Sequence, residues 1–149
     1  MNIQPDFKEL LQLLEKHKVE YMIVGGYAVA FYGYPRFTKD IDIFFEINQE
    51  SIDRLIRALV EFGFPEKDLN RDLFCKKGNV ITFGVAPVRV DFLNEISGVE
   101  FLDAKSSRVR GKYGDSDVYF IGKNDLIKNK LSTDRLHDKA DAEELNKNL

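Results

Sequence analysis

Apolar residues recur every three to four positions in two long stretches of the chain, a spacing that places them on one face of an α-helix. In the first stretch, residues 5–17, these positions are Phe7, Leu10, Leu11 and Leu14. In the second, residues 51–62, they are Ile52, Leu55, Ile56, Leu59 and Val60. Pro5 suits a first helical turn, and Gly63 with Pro65 ends the second helix. Further helices are predicted at 26–33, 98–104, 124–131 and 136–147.

Short apolar runs bounded by glycine, proline or polar residues predict the strands. They lie at 19–25, 40–46, 80–85 and 88–93, with two more inside 107–122. The gap at Ala86-Pro87 predicts a hairpin between the third and fourth runs. Helices and strands mixed in this order predict an α/β (α+β) fold, with a mixed central β-sheet flanked by helices. Because no repeat or linker divides the chain, residues 1–149 are expected to form a single domain.

Composition narrows the class of protein without identifying it. The chain has 149 residues, a net charge of −3 and an isoelectric point near 5.5, which argues against a broad electrostatic grip on nucleic acid. The single cysteine, Cys75, excludes an internal disulfide and is expected to be a partly buried small side chain. The sequence shows neither a signal-peptide pattern nor an apolar run of membrane-spanning length, so a cytoplasmic protein without membrane contact is expected.

Two aspartates interrupt the apolar run at 40–46. Alternate side chains of a strand share a face, so Asp40 and Asp42 lie on one face while Ile41 and Ile43 lie on the other. Neighbouring carboxylates repel each other and resist desolvation unless a cation lies between them. Because carboxylate oxygens are ligands that Mg²⁺ prefers, the pair predicts a metal-dependent phosphoryl or nucleotidyl transfer site.

Asp91 is the candidate third carboxylate, because it lies in the middle of the apolar run VRVDFL. A buried acid without a partner or a metal would be costly. The alternative is that Asp91 is solvated or paired with Arg89, which shares its face of the strand. We favour the metal-ligand interpretation because of Asp40 and Asp42.

The residues before the aspartates suit the binding of phosphate. Gly25 and Gly26 follow a predicted strand and open a predicted helix, where backbone N–H groups can face an anion. Arg36 or Lys39 can meet phosphate oxygens, and Thr38 can donate a hydrogen bond to one. Taken alone, the glycine pair marks any tight turn, and the segment from Arg36 to Lys39 is a solvated loop.

Taken together, these motifs resemble the signature of the DNA polymerase beta-like nucleotidyltransferase superfamily. The residues that carry the resemblance are Gly25, Gly26, Arg36, Thr38, Asp40, Ile41 and Asp42. The pattern is most similar to small bacterial nucleotidyltransferases related to abortive-infection (AbiEii-like) and toxin–antitoxin systems. The resemblance implies that Asp40, Asp42 and Asp91 hold Mg²⁺, or Mn²⁺ in its place. It also implies that Gly26 and Thr38 touch the triphosphate.

A second block, residues 126–145, resembles the C-terminal pattern of the same family. It places Lys130 at the family's lysine, Arg135 at its arginine, and Asp138 and Asp141 at its two acids, while His137 stands where the family usually has lysine. The resemblance implies that Lys130 approaches the nucleotide phosphates. The alternative is that these helical charges form exposed ion pairs of little consequence.

The predicted activity is Mg²⁺-dependent transfer of an NMP from an NTP such as ATP to a hydroxyl acceptor by a two-metal carboxylate mechanism. The acceptor is an RNA, a protein or a small molecule, and Asp91 would assist deprotonation of its hydroxyl. One alternative is a non-catalytic nucleotide- or partner-binding component of a toxin–antitoxin or defence pair. Another is a metal phosphohydrolase. A partner protein and a homodimer are both compatible with the sequence.

Overall fold

The computed structural model describes residues 3–34, 40–85 and 88–147, and within them it shows seven α-helices and six strands. The helices are α1 Pro5–Lys16, α2 Gly25–Phe31, α3 Gln49–Phe62, α4 Arg71–Cys75, α5 Phe101–Lys105, α6 Lys123–Leu131 and α7 Leu136–Asn146. The strands are β1 Tyr21–Val24, β2 Asp40–Phe45, β3 Val80–Val85, β4 Val88–Leu93, β5 Val109–Tyr113 and β6 Ser116–Phe120. The sequence pattern missed α4 and the 3₁₀ turn Glu66–Asp68, which are too short to show a helical period.

The strands form one mixed sheet in the order β3-β4-β2-β1-β6-β5, so the predicted fold class is confirmed. The predicted hairpin pairs β3 with β4, and a second hairpin pairs β5 with β6. Two parallel pairings join distant parts of the chain, β2 with β4 and β1 with β6. The inner strands β2 and β4 therefore carry the functional residues on a rigid support with neighbours on both sides.

Much of the core lies on the sheet face opposite the aspartates, while Phe44, on the aspartate face of β2, is buried against Phe101 of α5. Ile41, Ile43 and Phe92 are fully buried, and Val90 is nearly so. Helix α1 packs its apolar face toward these strands and against α3, as the helical spacing of leucines predicted. Asn48 caps α3 by accepting a hydrogen bond from the backbone N–H of Ser51, and the helix ends at Gly63. Burial of this face fixes which side of β2 and β4 is left for polar residues.

The structure corrects the expectation for Cys75. The side chain is exposed at the end of α4, whereas partial burial was predicted. The short helix turns this position outward and buries the preceding residue, Phe74. No helix in the described parts of the chain is long and apolar enough to cross a bilayer.

Candidate active site

The three aspartates lie on one face of the sheet, on neighbouring strands. Asp42 of β2 is paired in register with Asp91 of β4, and Asp40 is paired with Arg89. Directly paired residues of adjacent strands point to the same side of a sheet. Asp40, Asp42 and Asp91, called the acid cluster below, are therefore gathered together by the parallel pairing of β2 with β4.

Asp91 is held by two donors from the same hairpin. Its Oδ1 accepts a hydrogen bond from the Thr82 hydroxyl at 2.7 Å and one from Arg89 Nε at 3.1 Å, and its Oδ2 accepts from Arg89 Nη2 at 3.3 Å. Arg89 Nε also lies 3.7 Å from Asp40 Oδ2. The pairing of Asp91 with Arg89, which the sequence left open, is present, and Asp91 faces Asp42 as well.

The negative charge of Asp42 is compensated only in part by the neighbouring cations Lys130 and Arg89. Burial raises the pKa of its carboxyl to about 7, and the charges of Asp91 and Asp40 add to the effect, while Lys130 and Arg89 oppose it. At neutral pH the carboxyl is therefore close to half protonated. A further cation at this position would favour the ionised form.

The acid cluster fits a hard divalent cation by its chemistry. Within residues 3–34, 40–85 and 88–147, no three or more His, Cys, Asp or Glu side chains are already grouped so as to enclose a metal ion. The available donors are nevertheless carboxylate oxygens, which Mg²⁺ and Mn²⁺ prefer. Burial is the main cause of the raised pKa of Asp42, and the charges of Asp91 and Asp40 add to it, an effect that a bound cation would oppose.

The glycine turn packs directly against Asp42. Helix α2 begins at Gly25, immediately after Val24, which is paired with Asp42 across β1 and β2. Gly25 has φ +67°, and a Cβ atom at this position would collide with the Asp42 carboxylate. Glycine is therefore required here both for the backbone conformation and for the close approach.

Replacement of Gly25 by alanine should destabilise the protein and disturb Asp42. We expect Gly25→Ala to cost about 2–3 kcal/mol, of which about 1–2 kcal/mol is the left-handed backbone and the rest the collision. Gly114→Ala is the matched control, because Gly114 has φ +63° and its added Cβ would meet only ordinary contacts, the nearest at 3.4 Å. Urea denaturation of both variants measures the difference. Equal losses would contradict the proposed contact with Asp42.

The C-terminal block forms a compact charge cluster between α6 and α7. Lys130 Nζ lies 3.1 Å from Asp138 Oδ1 and 3.3 Å from Asp141 Oδ2. Asp138 Oδ2 also accepts hydrogen bonds from the Thr133 hydroxyl at 2.7 Å and from Arg135 Nε at 2.9 Å. We call Lys130, Thr133, Arg135, Asp138 and Asp141 the lysine cluster.

The members of the lysine cluster differ in how far their side chains are buried. The side chains of Lys130 and Asp138 are 10% and 3% exposed, so the interpretation as exposed ion pairs is wrong for them. That interpretation holds for Arg135, which is 79% exposed. His137 lies 3.8 Å from Asp141, at the rim of the cluster.

A cleft of about 400 Å³ is lined by the glycine turn, by Asp42 of the acid cluster and by most of the lysine cluster. Its lining includes Gly25, Gly26, Asp42, Lys130 and Asp138. Of the other residues that the sequence singled out, Asp40 and Asp91 lie beside Asp42 on the sheet. Arg36, Thr38 and Lys39 lie outside the described residues.

Sequence reasoning missed several residues of the site. Thr82 could have been found, because antiparallel pairing of two strands that are two residues apart in sequence places it opposite Asp91. The loop after β4 supplies Glu95, Ile96 and Ser97 to the cleft, and nothing in its sequence indicates this position. Thr133 carries no signal of its own, since its hydrogen bond depends on the turn between α6 and α7.

Comparison with known proteins gives one family match, by sequence. The family model described as aminoglycoside-2″-adenylyltransferase matches residues 6–95, a segment that contains the glycine turn and the whole acid cluster. The lysine cluster lies beyond it. No curated protein matches the chain significantly in sequence.

Several solved structures share the fold. A Thermotoga maritima protein provisionally assigned as a nucleotidyltransferase aligns with a TM-score of 0.65 over 98% of this chain and 94% of its own, at 16% identity. The lincosamide antibiotic adenylyltransferase LnuA, determined with lincomycin bound, aligns at 0.56 and 16% identity over 98% of both chains. An antigenic nucleotidyltransferase-like protein from Paracoccidioides brasiliensis aligns at 0.56 and 16% identity, covering 91% of this chain and 71% of that one. At this identity the likeness is one of fold.

Proposed function

Because the chain belongs to the aminoglycoside-2″-adenylyltransferase family and is therefore a nucleotidyltransferase, we propose that it transfers an NMP from an NTP to a hydroxyl group, with release of pyrophosphate. The observation that carries the proposal is the gathering of the glycine turn, Asp42 and Lys130 about one cleft, with Asp40 and Asp91 beside Asp42 on the sheet. A triphosphate needs cationic and N–H partners on its oxygens, and a transferred phosphoryl group needs fixed charge close by. Both requirements are met on neighbouring elements.

Asp40, Asp42 and Asp91 are the proposed ligands of one or two Mg²⁺ ions, for which Mn²⁺ would substitute. When bound, the metal would neutralise triphosphate charge and lower the pKa of the attacking hydroxyl. Asp42 favours a nearby cation, because burial and its two acidic neighbours raise its pKa to about 7 and a cation would stabilise its ionised form. Asp91 serves as the proposed proton acceptor for the hydroxyl, because its Oδ2 accepts one hydrogen bond from Arg89 and keeps a second lone pair.

The glycine turn and Lys130, which line the cleft with Asp42, are proposed to contact the nucleotide. The backbone at Gly25 and Gly26 lines the cleft and can approach phosphate oxygens closely, since neither residue has a side chain. Lys130 is the buried cation of the lysine cluster, and its positive charge acts to lower the pKa of Asp42. Arg36 and Thr38 are kept as proposed phosphate contacts on the resemblance alone.

A small molecule is the acceptor that we favour among the three considered. The family is named for transfer to aminoglycosides, and LnuA is described with lincomycin bound. An RNA or protein acceptor, a partner protein, a homodimer and a cytoplasmic location stay predictions. The narrower resemblance to abortive-infection and toxin–antitoxin proteins also stays a prediction, because the family match supports the superfamily without selecting that subtype.

Nucleotide-dependent stabilisation tests the proposal directly. Each of ATP, GTP, CTP and UTP is added to the protein with and without Mg²⁺, and unfolding is followed by thermal shift. At 100 times its dissociation constant, the correct donor should add about 2.7 kcal/mol to the free energy of unfolding. The same donor should then release pyrophosphate when aminoglycosides and lincosamides are supplied as acceptors.

Release of free phosphate instead of pyrophosphate would show hydrolysis and contradict nucleotidyl transfer. The absence of a shift with every nucleotide in the presence of Mg²⁺ would favour the partner-binding alternative. Arg71→Gln is a suitable control variant, since Arg71 pairs with Asp53 outside the cleft and should leave the shift unchanged.

A further inference from the structure

Arg89 occupies the position of a cation within the acid cluster. Its guanidinium donates two hydrogen bonds to Asp91, at 3.1 and 3.3 Å, and lies 3.7 Å from Asp40. The parallel register brings it opposite Asp40, so it faces carboxylates of both β2 and β4. A single positive group thus bridges two of the three proposed metal ligands.

These contacts use three of the four lone pairs of the Asp91 carboxylate, which a metal ion would also need. Asp91 Oδ1 already accepts from Thr82 and Arg89, and Oδ2 accepts from Arg89. A guanidinium and a divalent cation both require the lone pairs of these oxygens and repel each other at short range. Simultaneous occupation of the cluster by both is therefore unfavourable.

Arg89 is free to leave, in contrast to the cation of the lysine cluster. Its side chain is 43% exposed, whereas that of Lys130 is 10% exposed between two carboxylates. Rotation about its side-chain bonds would move the guanidinium into water, where hydration would replace its contacts with the carboxylates. The backbone of β4 remains fixed by pairing with β2 and β3.

We propose that Arg89 is an internal counter-cation, which partly neutralises the acid cluster in the metal-free enzyme and is displaced when a divalent cation binds. This inference rests on the proposed function, because it takes the acid cluster as the metal site. Arg89 then sets the metal affinity by competition. It also protects the folded protein from carboxylate repulsion when no metal is bound.

Direct measurement of Mn²⁺ binding to the whole chain tests the competition. Free Mn²⁺ is quantified by electron paramagnetic resonance during titration of the wild type and of Arg89→Gln. Removal of one positive charge within a few ångströms of the ion should tighten the dissociation constant about tenfold. Arg110→Gln is the matched control, because Arg110 is 45% exposed and forms an ion pair with Glu15 of α1 at 2.7 Å. Arg110 lies on β5, the edge strand on the far side of the sheet from the acid cluster.

A second readout separates displacement from a merely structural role. Without metal, Arg89→Gln should lower the unfolding temperature, because the carboxylates lose their counter-charge. Saturating Mn²⁺ should remove most of that deficit, since Arg89 no longer contacts the cluster in the metal-bound wild type. Arg89→Lys, which keeps the charge but not the two-pronged hydrogen bonding, should fall between wild type and Arg89→Gln in both measurements.

The outcomes distinguish this inference from the proposed function. If wild type binds Mn²⁺ and Arg89→Gln binds it equally or more weakly, the inference is overturned while the metal site stands. A deficit in unfolding temperature that persists at saturating Mn²⁺ would likewise assign Arg89 a structural role. If neither protein binds Mn²⁺, with or without nucleotide, the proposed metal site itself fails.

Discussion

Asp42→Asn should lower the rate of nucleotidyl transfer about a thousandfold, because loss of a charged ligand removes several kcal/mol of transition-state stabilisation. The substitution keeps the size of the side chain and its fit against Gly25. It removes a carboxylate whose pKa is raised by burial and by the charges of Asp91 and Asp40. The rate is measured as pyrophosphate release with the donor nucleotide found by thermal shift. Activity within tenfold of wild type would exclude Asp42 as a metal ligand.

The same variant should be more stable than wild type at pH 8 in the absence of metal. The folded-state pKa of Asp42 is raised from 3.8 to about 7, so its ionisation opposes folding. The penalty is absent below about pH 4, grows as the pH rises toward 7, and is then complete, reaching on the order of 2–4 kcal/mol. Asparagine avoids this penalty at every pH.

Urea denaturation with a chelator at pH 4.5 and pH 8 measures this pH dependence. Asp42→Asn and wild type should differ by about 1 kcal/mol or less at the lower pH and by clearly more at the higher one. Asp103→Asn, an exposed acid on α5, should show no comparable separation. A constant difference between Asp42→Asn and wild type would mean that the carboxyl is not desolvated in the folded protein.

Asp138→Ala should destabilise the protein by about 3–5 kcal/mol, since removal of one partner leaves Lys130 buried with less compensation. Burial alone would oppose ionisation of Asp138, but hydrogen bonds from Thr133 and Lys130 hold its pKa below the usual range. The ionised carboxyl therefore stabilises the packing of α7 against α6. This contribution is present at neutral pH and is lost only in acid, as the pH falls through the lowered pKa.

Chemical denaturation at pH 7 gives the size of the effect. Glu144→Ala is the control, because Glu144 lies on the same helix and pairs with Lys147 at the surface. It should leave the denaturation midpoint unchanged. If Asp138→Ala were as mild as Glu144→Ala, the lysine cluster would be an ordinary surface network.

The spacing of apolar residues in the sequence predicted most of the helices and strands, and it predicted the polar face of β2. Alternation along DIDIFF placed Asp40 with Asp42 and buried Ile41 with Ile43, as the structure shows. The two-residue gap at Ala86-Pro87 predicted the β3–β4 hairpin correctly. Such features depend on neighbours within a few residues, so the sequence alone determines them.

The arrangement of the site depends on contacts that no local pattern specifies. No turn sets the register between the parallel strands β2 and β4, so the pairing of Asp42 with Asp91, and of Asp40 with Arg89, could not be derived. The burial of Asp138 depends on how α7 packs against α6. Its helical spacing is equally typical of exposed ion pairs, and this is why the charge pattern alone pointed to a surface role.

The placement of β6 beside β1 has a consequence for how the protein folds. The backbone N–H of Tyr119 donates a hydrogen bond to the hydroxyl of Tyr21, 98 residues earlier in the chain. Contacts of such high sequence separation require loop closure before they contribute stability, and sheets rich in them fold slowly. The acid cluster, which needs β4 docked beside β2, assembles through the same kind of late, non-local pairing. Capture of Mn²⁺ during refolding would therefore report the final assembly of the sheet, well after the helices have formed.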